Sequence, residues 1–161
     1  MRKIIIDGYN LIYSMPGLMK FRKRKFEMAR EGLLRKIAQV GKKRKTFMVV
    51  VFDGKEDEII PDEEGINEWV QVRYSPHYKK ADTIIVELAQ AERNPRSCTV
   101  VTSDKAIIRE VLHAGMKTIS SEEFAQILDP KLRSRPEMQE EQKPEMKPAD
   151  MEVWRRVFGR K

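Results

Sequence analysis

The sequence predicts an α/β domain with a central, mostly parallel sheet. Three observations carry that prediction. Short apolar runs rich in β-branched residues recur at Ile4-Ile5-Ile6, Phe47 to Phe52 and Cys98 to Val101, and such runs suit strands buried on both faces. Stripes of apolar residues at helical spacing alternate with them. Each run also ends at or just before an aspartate: Asp7, Asp53 and Asp104. Strands alternating with helices pair in parallel through right-handed crossovers. Their carboxyl ends then share one edge, and ligands of such sheets bind outside that edge where the strand order reverses.

The elements follow in order. A first strand covers Lys3 to Ile6 and ends at Asp7, with Gly8 turning the backbone and Asn10 close by. Leu11 to Leu18 holds Pro16-Gly17 and predicts a loop. Lys20 to Lys25 places five basic residues around Phe21. A helix to about Val40 has Phe26, Ala29, Leu33, Ile37 and Val40 on one face, with Gly41 as its stop. Lys42, Lys43, Arg44 and Lys45 form a second basic cluster before the strand that ends at Asp53-Gly54. An acidic loop follows from Glu56 to Glu64. Trp69 to Tyr74 alternates and predicts a strand nearer the sheet's edge.

Ser75-Pro76-His77-Tyr78 predicts a turn. A helix beginning near Lys79-Lys80 buries Ala81, Ile84, Ile85, Leu88 and Ala89, with Asp82 in its first turn. After the strand Cys98–Val101, Asp104 leads a helix with Ile107, Ile108, Val111 and Leu112 inward and Gly115 at its end. Lys117 to Ile119 is a short strand, and Ser120 opens a last helix to about Leu128. The composition changes at Asp129-Pro130. Residues 1–129 are expected to form one domain. Residues 130–161 are expected to be a charged linker with four of the chain's eight prolines, then a short amphipathic helix carrying Met151, Trp154, Val157 and Phe158. That helix either docks on its own domain or grips a partner.

Composition narrows the partners. The 161 residues are 40% hydrophobic and 35% charged, with net charge +7. That balance favours polyanions such as RNA, or is simply a soluble basic surface. One cysteine, Cys98, excludes an internal disulfide, and two histidines leave little for a zinc site without carboxylates. Asp7 ends the first apolar run too early for a signal peptide. No apolar run reaches membrane-spanning length, and a cytoplasmic location with no membrane partner is expected. Composition says nothing about the oligomeric state.

Four aspartates, Asp7, Asp53, Asp82 and Asp104, are expected at one sheet edge. Each alone is ordinary, as a helix cap, an Asx turn or first-turn chemistry. Together they repel, raising at least one pKa, and a divalent cation would relieve them. Asn10 could orient water or phosphate without adding charge, or cap the loop. Thr102 and Ser103 offer hydroxyls. The basic residues Arg22, Lys23, Arg24, Lys25, Lys42, Lys43, Arg44, Lys79 and Lys80 are candidates for backbone phosphate contacts. Tyr9, Tyr13, Phe21, His77 and Tyr78 could stack on unpaired bases, or pack locally. Other templates are missing: there is no GxxxxGK[ST], GxGxxG or Gly-x-Ser-x-Gly run. Tyr9 stands where an Asp-x-Asp phosphatase would need its second acid.

Ile4-Ile5-Ile6-Asp7-Gly8-Tyr9-Asn10 resembles the NYN branch of the PIN-like nucleases, specifically the YacP-like bacterial proteins. Val51-Phe52-Asp53-Gly54, Lys80-Ala81-Asp82-Thr83-Ile84-Ile85 and Val100-Val101-Thr102-Ser103-Asp104 extend the resemblance over about residues 1–129. It implies a three-layer α/β/α fold, RNA cleavage dependent on magnesium or manganese, and association with the ribosome and its mRNA. It also implies that Asp7, Asp82 and Asp104 are the main acidic residues, with Asn10 and Asp53 in support. The expectation is therefore a metal-dependent endoribonuclease. The alternative is a non-catalytic RNA- or ribosome-binding module on the same fold.

Overall fold

A computed structural model describes residues 2–19, 26–54, 63–76, 78–133 and 156–158. The predicted strands form: β1 (Lys3–Asp7), β2 (Phe47–Asp53), β4 (Val70–Ser75), β5 (Cys98–Val101) and β6 (Lys117–Ile119). A further strand, β3 (Glu63–Asn67), lies in the stretch expected to be loop. The sheet order is β3-β4-β2-β1-β5-β6, and every neighbouring pair is parallel except β3 with β4. The chain leaves β1 toward β2 and β4, then crosses back to β5 on the other side of β1. The order therefore reverses between β1 and β5.

Alternation along the strands builds two cores. Ile4, Ile6, Met48, Val50, Phe52, Val70 and Val72 face one helical layer. Ile5, Val49, Val51 and Val100 face the other. The first layer holds α1 (Gly8–Tyr13), α2 (Pro16–Met19), α3 (Phe26–Arg44) and α6 (Ser121–Leu128). The second holds α4 (Ala81–Gln90) and α5 (Lys105–His113). The fold is the expected three-layer α/β/α sandwich. Cys98 belongs to the second core, and burial pushes its thiol up to about 12.

Several local expectations are corrected. Residues 8–19, read as turn and loop, form the short helices α1 and α2. Helix α3 runs through Gly41 to Arg44, so the second basic cluster is mostly helical, and Lys45 takes the positive φ of 49° beyond its end. Leu112 is exposed, leaving Ile107 and Val111 as the buried positions of α5. The helix at Ser120 forms as expected. Ser120 and Glu123 close a capping box, in which each side chain meets the other residue's backbone N–H.

The terminal residues Arg156–Phe158 dock on their own domain. Val157 and Phe158 join the first core, with the Phe158 ring stacked 6.5 Å from that of Phe124. Arg2 Nε donates to the Phe158 carbonyl at 2.9 Å, and the Arg44 guanidinium lies over the Phe158 ring.

Candidate active site at the sheet's carboxyl edge

Asp7 ends β1 beside the reversal of strand order. Its Oδ2 accepts from the Thr102 hydroxyl at 3.1 Å, which joins the end of β1 to the loop after β5. The same Thr102 oxygen accepts from the Asp104 N–H at 3.1 Å. Thr102 is fully buried. Burial pushes the Asp7 carboxyl up from its ordinary 3.8 to about 6. The Thr102 hydrogen bond works against that shift, the charges of Asp53 and Asp104 add to it, and the Asn10 backbone N–H lowers it slightly. The structure therefore brings Asp7, Asp53 and Asp104 within electrostatic reach of one another.

The neighbouring carboxylates have structural partners as well. Asp104 caps α5, with Oδ1 accepting from the N–H groups of Ala106 and Ile107 at 2.9 and 3.3 Å. Asp53 Oδ1 accepts from the Ala81 N–H at 2.7 Å, so the end of β2 caps α4. In both, Oδ2 makes no hydrogen bond among the described residues. Asp82 is exposed in the first turn of α4, and its Oδ1 accepts from Thr83 N–H at 2.8 Å. It adjoins Ala81, which Asp53 holds.

Asn10 fastens the loops around Asp7. Its Oδ1 accepts from the Ser103 N–H at 2.9 Å and from the Ser121 hydroxyl, tying α1 to the β5–α5 loop and to the start of α6. Ser103 Oγ donates to Glu122 Oε1 at 2.6 Å and accepts from the Ser121 N–H at 3.0 Å. Glu122, in the first turn of α6, thus adds to this network a carboxylate that the pattern of strand-end aspartates does not include. Only the meeting of two separate loops brings it there.

The basic candidates divide. Lys79 and Lys80 precede α4 at the carboxyl edge, with Lys79 paired to Glu87 at 2.9 Å. Lys42, Lys43 and Arg44 end α3 just before β2 begins, at the opposite edge of the sheet. With about 3.3 Å of rise per residue, that edge is on the order of 15 Å from Asp7. Arg22, Lys23, Arg24 and Lys25 lie outside the described residues, as do Phe21 and His77. Tyr9 packs edge-on against Phe52, centroids 4.9 Å apart, whereas Tyr13 and Tyr78 are exposed.

The family profile of the YacP-like NYN domain matches residues 4–157. The chain belongs to the YacP-like NYN family. The match ends at Val157 and so takes in Arg156 and Val157 of the docked residues. YacP of Bacillus subtilis is 32% identical over 102 residues, which are 63% of this chain and 59% of that protein. The crystal structure of Rae1 (YacP) from Bacillus subtilis is similar with a TM-score of 0.66 and 27% identity, over 83% of this chain and 76% of that one. A tryptophan-to-leucine variant of it matches at a TM-score of 0.68 and 27% identity, over 83% and 78%. Membership of the NYN family supports a nuclease-type, RNA-related role.

Proposed function

We propose that this YacP-like NYN domain is a divalent-metal-dependent endoribonuclease that cleaves RNA phosphodiester bonds, with mRNA presented on the ribosome as its substrate. The observation that carries the reading is Asp7. It is a carboxylate at the reversal of strand order, raised to about 6 by burial and by like charges. An ion pair would relieve that strain, yet no cationic side chain bonds to Asp7 among the described residues. Ribosome presentation draws on the family resemblance and the net charge of +7.

The residues fit a hard cation. No three His, Cys, Asp or Glu side chains among the described residues form an all-protein cage. Magnesium does not need one, because it binds through one or two carboxylates and keeps water and substrate oxygens as its other ligands. Asp7 would hold the ion, with Asp104 or Asp82 as the second carboxylate, directly or through a water, and Asp53 in support. Bound there, the metal would supply Lewis acidity at the phosphodiester and lower the pKa of the attacking water. Thr102 keeps the Asp7 carboxylate in one orientation, and Asn10 holds the two loops that frame it. Lys79, Lys80 and residues 22–25 are the proposed contacts to the RNA backbone.

The second reading, a non-catalytic RNA-binding module, has one observation in its favour. Asp53 and Asp104 are each accounted for by a helix cap. Cleavage of naked and ribosome-bound RNA by wild type and Asp7→Asn, with magnesium, manganese or chelator, separates the two. The nuclease reading expects cleavage that needs both metal and Asp7. Binding without cleavage on either substrate would leave the module.

A further inference from the structure

Arg30 is the one charged side chain among the buried described residues, at 7% exposure. It lies on the buried face of α3, one residue after Ala29 and three before Leu33. Burying a cation is costly unless an anion accompanies it. No carboxylate pairs with Arg30 among the described residues. Its Nη1 donates to the Tyr9 hydroxyl at 3.3 Å, and its guanidinium carbon lies 5.9 Å from the centroid of the Tyr74 ring. A neutral hydroxyl and a ring face orient a guanidinium without neutralising it. The fork has five N–H donors, of which Tyr9 engages one.

Its position is as informative as its charge. Tyr9 lies two residues beyond Asp7, and Tyr74 is the last residue but one of β4. The Phe52 ring packs between them, 4.9 Å from Tyr9 and 6.1 Å from Tyr74. Arg30 is thus fixed at the same carboxyl edge as Asp7, but on the α3 side of the sheet, whereas Asp53 turns to the α4 side. A strand of RNA crossing this edge would pass both Asp7 and Arg30. Guanidinium is the side chain best suited to a phosphate, because its fork can engage two oxygens at once.

We propose that Arg30 binds a backbone phosphate of the RNA. It is a binding residue that positions the strand, and the missing counter-charge comes with the substrate. The proposal rests on the nuclease reading only for the identity of the polyanion, so its test is made without metal and without cleavage.

The full-length chain and its Arg30→Gln and Arg30→Lys variants are titrated with a single-stranded RNA oligonucleotide in chelator across a salt series. Thermal midpoints are recorded alone and with inorganic phosphate. Arg30→Gln should weaken RNA binding about tenfold and flatten the dependence of log affinity on log salt by about 0.7, the value of one phosphate contact to a single strand. Its midpoint should not fall, because an uncompensated buried charge has been removed, and the stabilisation by phosphate should vanish. Arg30→Lys should keep the salt slope but regain only part of the affinity, having charge without the fork.

Unchanged affinity and slope in Arg30→Gln would overturn the proposal. So would a lowered midpoint with RNA affinity intact, or a variant too unstable to fold, since either makes Arg30 a structural residue. Arg30-dependent stabilisation by inorganic phosphate without any effect on RNA would overturn it too, leaving a site for small anions. If Asp7→Asn still cleaves RNA while these results hold, the nuclease site is misassigned and the Arg30 contact stands.

Discussion

The chain uses Asp-Gly twice at the end of a buried strand, and the two copies do different things. At Asp53-Gly54 the carboxylate is exposed and caps α4. At Asp7-Gly8 the carboxylate is partly buried and bonds a hydroxyl, and although Asp7 stands at the N-cap of α1 it closes no side-chain cap there. The glycines differ as well. A Cβ on Gly54 would lie 2.3 Å from the Ser75 carbonyl oxygen, where the ends of β2 and β4 converge. Gly8, expected to turn the backbone, instead begins α1, and a Cβ there would lie 2.3 Å from the Phe52 ring. One copy of the motif closes a structural joint. The other keeps a costly carboxylate at the reversal of strand order, as a site for an external cation requires.

The largest difference between the two copies should appear on neutralising them. Asp7→Asn should abolish RNA cleavage and also stabilise the fold. Because the folded-state pKa is raised from 3.8 to about 6, ionising Asp7 weakens the native state as pH climbs through that window. Below pH 3.8 the cost is absent, and above about 6 it is complete. At about 1.4 kcal/mol per unit, the variant should gain on the order of 2–3 kcal/mol at pH 8 and nothing near pH 3. Denaturant melts of both proteins across that range would check it. A variant less stable than wild type at pH 8 would break the contrast with Asp53.

The glycines should follow. Gly54→Ala and Gly8→Ala should each cost about 1–3 kcal/mol in urea melts, as overpacking does. Gly54→Ala should cost more, because it strikes a backbone carbonyl and not an aromatic ring. Gly8→Ala should also depress cleavage by displacing the start of α1. Asp53→Ala should lower stability by about 1 kcal/mol, the usual value of an N-cap, with most of the loss in exchange protection of α4. Asp82→Asn should be the smallest in stability, within about 0.5 kcal/mol as for exposed sites. It should nonetheless raise the magnesium concentration needed for cleavage. An unchanged magnesium requirement would remove Asp82 from the metal's donors.

The strands were legible because β-branched runs without polar interruption have few other places to go. Helix α5 was legible through Asp104, whose cap is local, and α6 through its capping box. What escaped was either short, polar or made by distant contacts. Helices α1 and α2 have six and four residues and carry Gly8, Pro16 and Gly17, the usual marks of a turn. Strand β3 reads Glu-Glu-Gly-Ile-Asn and owes its form to antiparallel pairing with β4. Gly41 did not stop α3, which also carries Gly32, since a helix with a packed face tolerates an interior glycine. At the site, the row of aspartates was visible from strand ends. The hold of Asp53 on α4, the Asn10–Ser103–Ser121–Glu122 network and the lone charge of Arg30 depend on which elements meet, which periodicity does not encode.

Asp7 is a partly buried carboxylate to which no cationic side chain bonds among the described residues. Its titration can be followed directly by carbon-detected NMR of the side-chain carboxyl, in metal-free buffer and again with magnesium. A metal-binding Asp7 should show a midpoint near 6 without metal and a clear downward displacement with it. A midpoint near 4 that magnesium leaves unchanged would contradict the claim that this edge of the sheet is a metal-dependent active site.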